Sequence, residues 1–190
     1  DHVVVFPGFI GCTKEGKRIT LARNKSDLSG SYGAAAIPAW MYENFTDSAI
    51  LAADPNLVDK PSKIDELVYK ESRDLSFSGF NILHHQAMLP CEEANVPINV
   101  RSTKKYPEQG TIIKRERELD PSRPIVGVAY KPSFYYTFIE KPGLDDMLGV
   151  IHRLTGIFER AGIQLLDIQG AIDEISFIYH GSCVKNQEQL

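Results

Sequence analysis

Apolar and polar positions alternate between two regimes along the chain. Val3-Val4-Val5-Phe6 is a short continuous apolar run of the kind a strand buried on both faces shows, and Pro7-Gly8 ends it. Phe9 to Gly16 reads as a loop or hairpin, with Lys14-Glu15-Gly16-Lys17 at the turn and a return through Arg18-Ile19-Thr20-Leu21. Ser26 or Asp27 is positioned to N-cap a helix through the small residues Gly30 to Ala36. Pro38 stops that helix near Ile37, and Trp40 to Phe45 is the next strand. This succession predicts a crossover unit of an α/β sheet, whose ligand-facing groups lie at strand ends.

A polar loop containing Asp54-Pro55-Asn56 and Asp59-Lys60-Pro61 follows. Two short helices are expected, about Tyr69 to Phe77 and His85 to Ala94. Val96 to Val100 reads as a strand, and Gly110 to Ile113 as a short edge strand. Lys114 to Pro124 is charged, holds two prolines and lacks periodicity, so it marks a linker between residues 1–113 and 125–184, with a polar tail at 185–190. The second region predicts a small β-α-β-β unit: Ile125 to Tyr130 with Phe134 to Ile139, a helix from about Leu144 to Ala161, then Ile163 to Ile168 and Ile175 to Tyr179. In that helix Leu144, Met147, Leu148, Ile151, Leu154, Ile157 and Phe158 recur every three or four residues, and Gly162 is its natural stop. The resulting sheet would keep an open face and edge, which predicts pairing with another copy or another domain.

Composition narrows the chemistry. The 190 residues carry a net charge of −4 and are 43% hydrophobic, ordinary for a globular protein and unsuited to a general binder of nucleic acid or anionic membrane. Cys12, Cys91 and Cys183 lie far apart without CxxC spacing, which points away from a metal site or disulfide framework and towards a reducing cytoplasm. No apolar run is long enough to span a bilayer, and no signal peptide is readable. A start on a strand without Met, and a polar end, suggest a fragment. Around Ser26 and Asp27 the helix start predicts an anion-binding corner, with a plain structural cap as the alternative. His84-His85 has no third ligand at metal spacing and reads as capping or packing beside a helix. Tyr135-Tyr136 reads as strand packing, and Asp145-Asp146 as a response to the helix dipole.

Several separated motifs, in one order, resemble the aspartate kinase family. They are Val5-Phe6-Pro7-Gly8-Phe9-Ile10-Gly11, Thr20 to Asp27, Tyr42-Glu43-Asn44-Phe45-Thr46-Asp47, Ala53-Asp54-Pro55, Gly79-Phe80-Asn81-Ile82-Leu83-His84 and Gly110-Thr111. Ile125 to Tyr179 resembles that family's first regulatory ACT domain. The resemblance implies an α/β fold: part of a carbamate-kinase-like α/β/α sheet, followed by a ferredoxin-like ACT unit. It implies transfer of phosphate from ATP, with Mg2+, to the side-chain carboxylate of L-aspartate, by positioning and electrostatics rather than covalent catalysis. It further implies that Arg23, Ser26 and Asp27 meet the substrate, that Thr46, Asp47 and Asn81 line the nucleotide site, and that Gly149, Asp173 and Glu174 lie where an amino-acid effector such as lysine or threonine binds.

Homodimerisation through the ACT region belongs to the same expectation. Asn24 and Lys25 stand where the family's loop has glycines, Lys25 being a candidate cation for phosphate, and Asn56 and Asn81 stand where many relatives carry a basic residue. The loop after Asp47 is one residue shorter than the family's spacing. The family's N-terminal phosphate loop has no counterpart here, so the isolated chain is expected to be inactive. The alternative is a non-catalytic regulatory or dimerisation piece, or a degenerate paralogue.

Overall fold

A computed structural model describes residues 2–21, 25–80 and 83–184. The chain folds as two compact units, with the division between Tyr130 and Lys131. In the first unit, β1 (Ile10–Cys12) and β2 (Arg18–Thr20) form the expected hairpin, Ile10 opposite Thr20, with Gly16 supplying the left-handed turn at φ 80°. Helix α1 (Ser26–Ala36) follows, then β3 (Tyr42–Thr46), β4 (Glu66–Val68), α2 (Tyr69–Phe77), a 3-10 turn at His85–Ala87 leading into α3 (Met88–Glu93), β5 (Ile98–Ser102) and β6 (Thr111–Lys114). The four longer-range strands make one mixed sheet in the order β3-β5-β6-β4. Strands β3 and β5 run parallel, as do β4 and β6, while β5 and β6 are antiparallel.

Leu67, Met88, Ile98, Val100 and Ile113 are buried in the core of this unit, with Leu83 and Cys91. Each side chain of that size removed from water contributes about 1.5–3 kcal/mol.

Four local expectations change. Val3 to Phe6 form no strand and stand in the open, with Val3 93% exposed, because no strand among the described residues covers them. The helix begins one residue earlier than a Ser26 cap implies: Lys25 is the N-cap and makes no side-chain capping bond. Strand β6 is interior to the sheet; the edge position belongs to β4, a three-residue strand that local pattern does not reveal. Residues 125–130, expected to open the second unit, carry no strand. Val126 and Ala129 pack on the first core, and Val128 N donates to Ala52 O at 2.8 Å.

The second unit contains β7 (Phe134–Glu140), α4 (Val150–Arg160), β8 (Leu165–Ala171) and β9 (Glu174–His180), an antiparallel sheet in the order β7-β9-β8. Phe158, Ile175, Phe177 and Tyr179 are buried together, while Phe134, Tyr136 and Phe138 remain exposed on β7. Three strands are present among the described residues, rather than four. The helix also starts six residues later than its apolar spacing suggests, because Gly149 at φ 72° is its N-cap and interrupts the helical path.

The charged segment after β6 is tied to the first unit. Arg117 donates through Nε and Nη2 to both oxygens of Glu71, at 2.9 and 2.6 Å, and Glu71 Oε2 accepts the Val68 amide at the start of α2. These donors hold the Glu71 carboxyl below its ordinary value, Arg117 most strongly, against an opposing contribution from burial. A lowered folded-state pKa adds stability that is present above the unfolded value near 4.5 and lost as pH falls through the folded value. Arg117→Met should therefore cost about 1–3 kcal/mol at neutral pH by urea denaturation. The deficit should shrink when the titration is repeated below pH 4; an equal deficit at both pH values would show that the ion pair is not its source.

Candidate functional site

Helix α1 lies against β3 closely enough that a Cβ at Gly30 would come within 2.5 Å of the Tyr42 hydroxyl. This contact leaves no room for a side chain at Gly30, and it sets the site's geometry. In strand β3, alternation puts Tyr42, Asn44 and Thr46 on one face and Glu43 and Phe45 on the other. Asp27, in the first turn of α1, receives Asn44 Nδ2 on Oδ1 at 3.4 Å, and its carbonyl receives the Tyr42 hydroxyl at 3.4 Å. Asn44 Nδ2 also donates to the Tyr42 hydroxyl oxygen at 3.1 Å. Burial above all, with Asp27 and Cys91 adding, raises the Tyr42 pKa, so this hydroxyl is protonated and neutral near pH 7.

The turn after the exposed apolar run closes on the same helix. Phe9 N donates to Ser29 Oγ at 3.1 Å, and Gly8 lies next to Ser26, where a Cβ would be 3.8 Å from the Ser26 Cβ. From the other side, Lys25 Nζ donates to Gln86 Oε1 at 2.8 Å. His84 caps the 3-10 turn, its Nδ1 accepting the Gln86 amide, and stacks on His85 with ring centroids 4.5 Å apart. Burial first, then the charges of His85 and Lys25, depress the His84 pKa, while Asp27 opposes them. Ser26, Asp27, Lys25 and His84 thus form one corner, with the first amides of α1 carrying the positive end of its dipole. Arg23 and Asn24 lie outside the described residues.

Two residues beyond Asn44, Thr46 reaches a cleft of about 270 Å³ lined also by Asp54, Asn56, Gly79, Phe80 and Tyr130. Asp54 Oδ1 accepts both the Asn56 amide and its Nδ2, at 2.8 and 2.9 Å, which fixes the turn on the cleft wall. Asp47 lines a neighbouring recess with Lys63, Lys104 and Lys105 that shares Ser48, Ala49 and Leu51 with the cleft. The backbone at both positions is anchored to the end of β5: Thr103 Oγ1 donates to Thr46 O and Ser102 Oγ to Asp47 O, each at 3.0 Å. Asn81 lies outside the described residues. Among the described residues, no group of three or more His, Cys, Asp or Glu could hold a metal ion, and no helix is long and apolar enough to cross a membrane. All three cysteines are free.

In the second unit, Gly149 caps α4 and Glu174 opens β9. The Asp173 carboxylate is engaged by the Gly143 amide, and its carbonyl accepts Lys141 N at 2.8 Å, so Asp173 docks the loop before α4 onto the β8–β9 turn. Sequence reasoning passed over Asn44 and Tyr42 as site residues. Their connection to Asp27 spans 17 and 15 residues, and only the period of β3, which puts them in line with Thr46, hints at it.

Residues 1–102 match the model of the amino acid kinase family. The chain is 34% identical over 179 residues to Aspartokinase 3 of Bacillus subtilis, which covers 94% of this chain and 39% of that protein. The solved aspartate kinase of Clostridium acetobutylicum superposes with a TM-score of 0.87 at 33% identity, over 95% of this chain and 42% of its own. Aspartokinase III of Escherichia coli, solved with aspartate and ADP, shares the fold at a TM-score of 0.75 and 24% identity, over 96% of this chain and 41% of its own. The chain therefore spans about two fifths of the length of these relatives.

Ring titration by NMR tests the composition of the corner. Lys25→Met removes a positive charge and should raise the His84 pKa, whereas Asp27→Asn should lower it. An unmoved His84 in both variants would mean that neither charge faces the ring.

Proposed function

The chain belongs to the amino acid kinase family, and from that premise we propose that it is part of an aspartate kinase, transferring the γ-phosphoryl group of ATP to the side-chain carboxylate of L-aspartate to give 4-phospho-L-aspartate. One observation supports this reading most: a single face of β3 carries both Asn44, bonded to Asp27 in the helix corner, and Thr46, in the cleft wall. Successive residues on one strand face are about 7 Å apart. An acceptor in the corner and a nucleotide in the cleft would then be neighbours along one rigid element.

In this reading Arg23 takes the backbone carboxylate of aspartate through its paired donors. Ser26 and the first amides of α1 face the acceptor carboxylate and the phosphoryl group, and Asp27 orients the substrate ammonium. Thr46 and Asn81 contact the nucleotide, with Asn56 on the cleft wall and Asp47 reaching it from the adjoining recess. Lys25, held over the corner by Gln86, adds positive charge where negative charge develops. Mg2+ commonly takes its ligands from phosphate oxygens and one or two carboxylates rather than from an all-protein cage, and Asp54 in the cleft wall suits that donor set. Bound there with the nucleotide, it would neutralise phosphate charge.

The second unit is read as an ACT-type regulatory module for an amino-acid effector, lysine or threonine, near Gly149, Asp173 and Glu174. Its uncovered β7 face, with Phe134, Tyr136 and Phe138, is the surface for homodimerisation. A reducing cytoplasm suits the three free thiols.

Full-length protein supplied with ATP, Mg2+ and L-aspartate should form an acyl phosphate that hydroxylamine traps as a hydroxamate. Arg23→Ala should raise the KM for aspartate by about 10- to 100-fold, the loss expected of charge-assisted hydrogen bonds. No hydroxamate from the full-length protein, or a preference for a different carboxylic acid, would refute the assignment.

A further inference from the structure

We propose that Asn44 is a positioning residue for Asp27, acting with the Tyr42 hydroxyl to fix the carboxylate that faces the acceptor corner. The inference rests on the function proposed above, and it assigns a part in that function to two side chains of β3.

The two contacts are divided between the carboxylate and the main chain of Asp27. Asn44 Nδ2 reaches Oδ1 at 3.4 Å, and the Tyr42 hydroxyl reaches the carbonyl at 3.4 Å. The Asn44 amide has two N–H donors, so it can serve Asp27 and the Tyr42 oxygen, 3.1 Å away, at the same time. Tyr42 can come this near to α1 because Gly30 has no side chain, a Cβ there falling 2.5 Å from the Tyr42 hydroxyl. The strand therefore holds the start of the helix at both its backbone and its side chain.

The chemistry of the donor also matters. An arginine or lysine at position 44 would pair with Asp27 and cancel its charge. A neutral amide turns the carboxylate without neutralising it, which leaves the full negative charge for a substrate ammonium. Asn44 also precedes Thr46 by one strand repeat, so one face of β3 carries both the partner of Asp27 and a residue of the cleft wall.

Steady-state kinetics on the full-length protein test this, with Asn44→Ala, the isosteric Asn44→Asp, Asp27→Asn and the double variant Asn44→Ala/Asp27→Asn. Asn44→Ala should lower kcat/KM for aspartate about 5- to 10-fold and leave the KM for ATP within about 2-fold. Asn44→Asp, with nearly the same shape, should lose more, since it sets a second negative charge against Asp27. In the Asp27→Asn background, Asn44→Ala should cost less than about 2-fold, because the group it positions has lost its charge. Melting curves identify any variant that fails to fold. If Asn44→Asp is one, Tyr42→Phe replaces it and should lose about 2- to 5-fold by removing only the hydroxyl.

Wild-type kinetics for Asn44→Ala and Asn44→Asp, or a loss that multiplies fully with Asp27→Asn, would overturn the positioning role alone. Wild-type kinetics for Asp27→Asn would instead remove Asp27 from the substrate site and take the positioning role with it, while measured turnover of aspartate would leave the assignment as an aspartate kinase standing.

Discussion

The arrangement in the first unit depends on how near α1 can come to β3. At Gly30 the two elements are in contact through the Tyr42 ring, and a single added carbon would lie 2.9 Å or less from three of its atoms. That closeness brings the first turn of the helix within reach of Tyr42 and Asn44. A larger residue would lever the helix away from the strand and separate Asp27 from its donors before disturbing the rest of the core. Ser31 extends the same contact towards α3: its hydroxyl lies 3.2 Å from Cys91 Sγ, and both side chains are fully buried. Burial raises the Cys91 pKa, so this thiol is a packing group rather than a nucleophile.

Around this contact the unit uses a mixed sheet whose end is fastened by side chains as well as by its ladder. Ser102 and Thr103 at the end of β5 bond to the carbonyls of Asp47 and Thr46 at the end of β3. Arg101 lies over Tyr106 at 4.9 Å and near Phe45 at 5.7 Å, and it also donates to the carbonyls of Pro107 and Glu108. The loop that walls the recess beside the cleft is thereby bound to the strand that carries Thr46. Thr111 does the same deeper in the sheet, accepting Ile50 N and donating to Ile64 O. Rigid strands thus present the cleft residues, while short polar anchors set the loop positions.

What the sequence disclosed followed from local chemistry. The hairpin around Gly16, the stop of α1 before Pro38, strands β3 and β5, helix α2 and the apolar stripe of α4 each carry their signal within one element. Thr46 and Asp54, which lie in motifs that resemble the aspartate kinase family, line one cleft. Features created by distant partners were hidden. Strand β4 is three residues long and exists through pairing with β6, 46 positions away between Glu66 and Ile112. The interior position of β6 needs β4 on its far side. Gly149 ends what looks like uninterrupted helical periodicity, since a left-handed φ leaves no trace in hydrophobic spacing. The roles of Tyr42 and Asn44 depend on a helix that precedes their strand. Asp173 has a structural duty towards Gly143 that no motif specifies.

Val3 to Phe6 carries a further consequence. Four consecutive apolar side chains without a charge, three of them β-branched, are exposed, from 93% at Val3 to 66% at Phe6. Such a run gains nothing from solvation and has the composition that joins strands of separate molecules edge to edge. This segment is therefore open to pairing with any strand that can lie beside it.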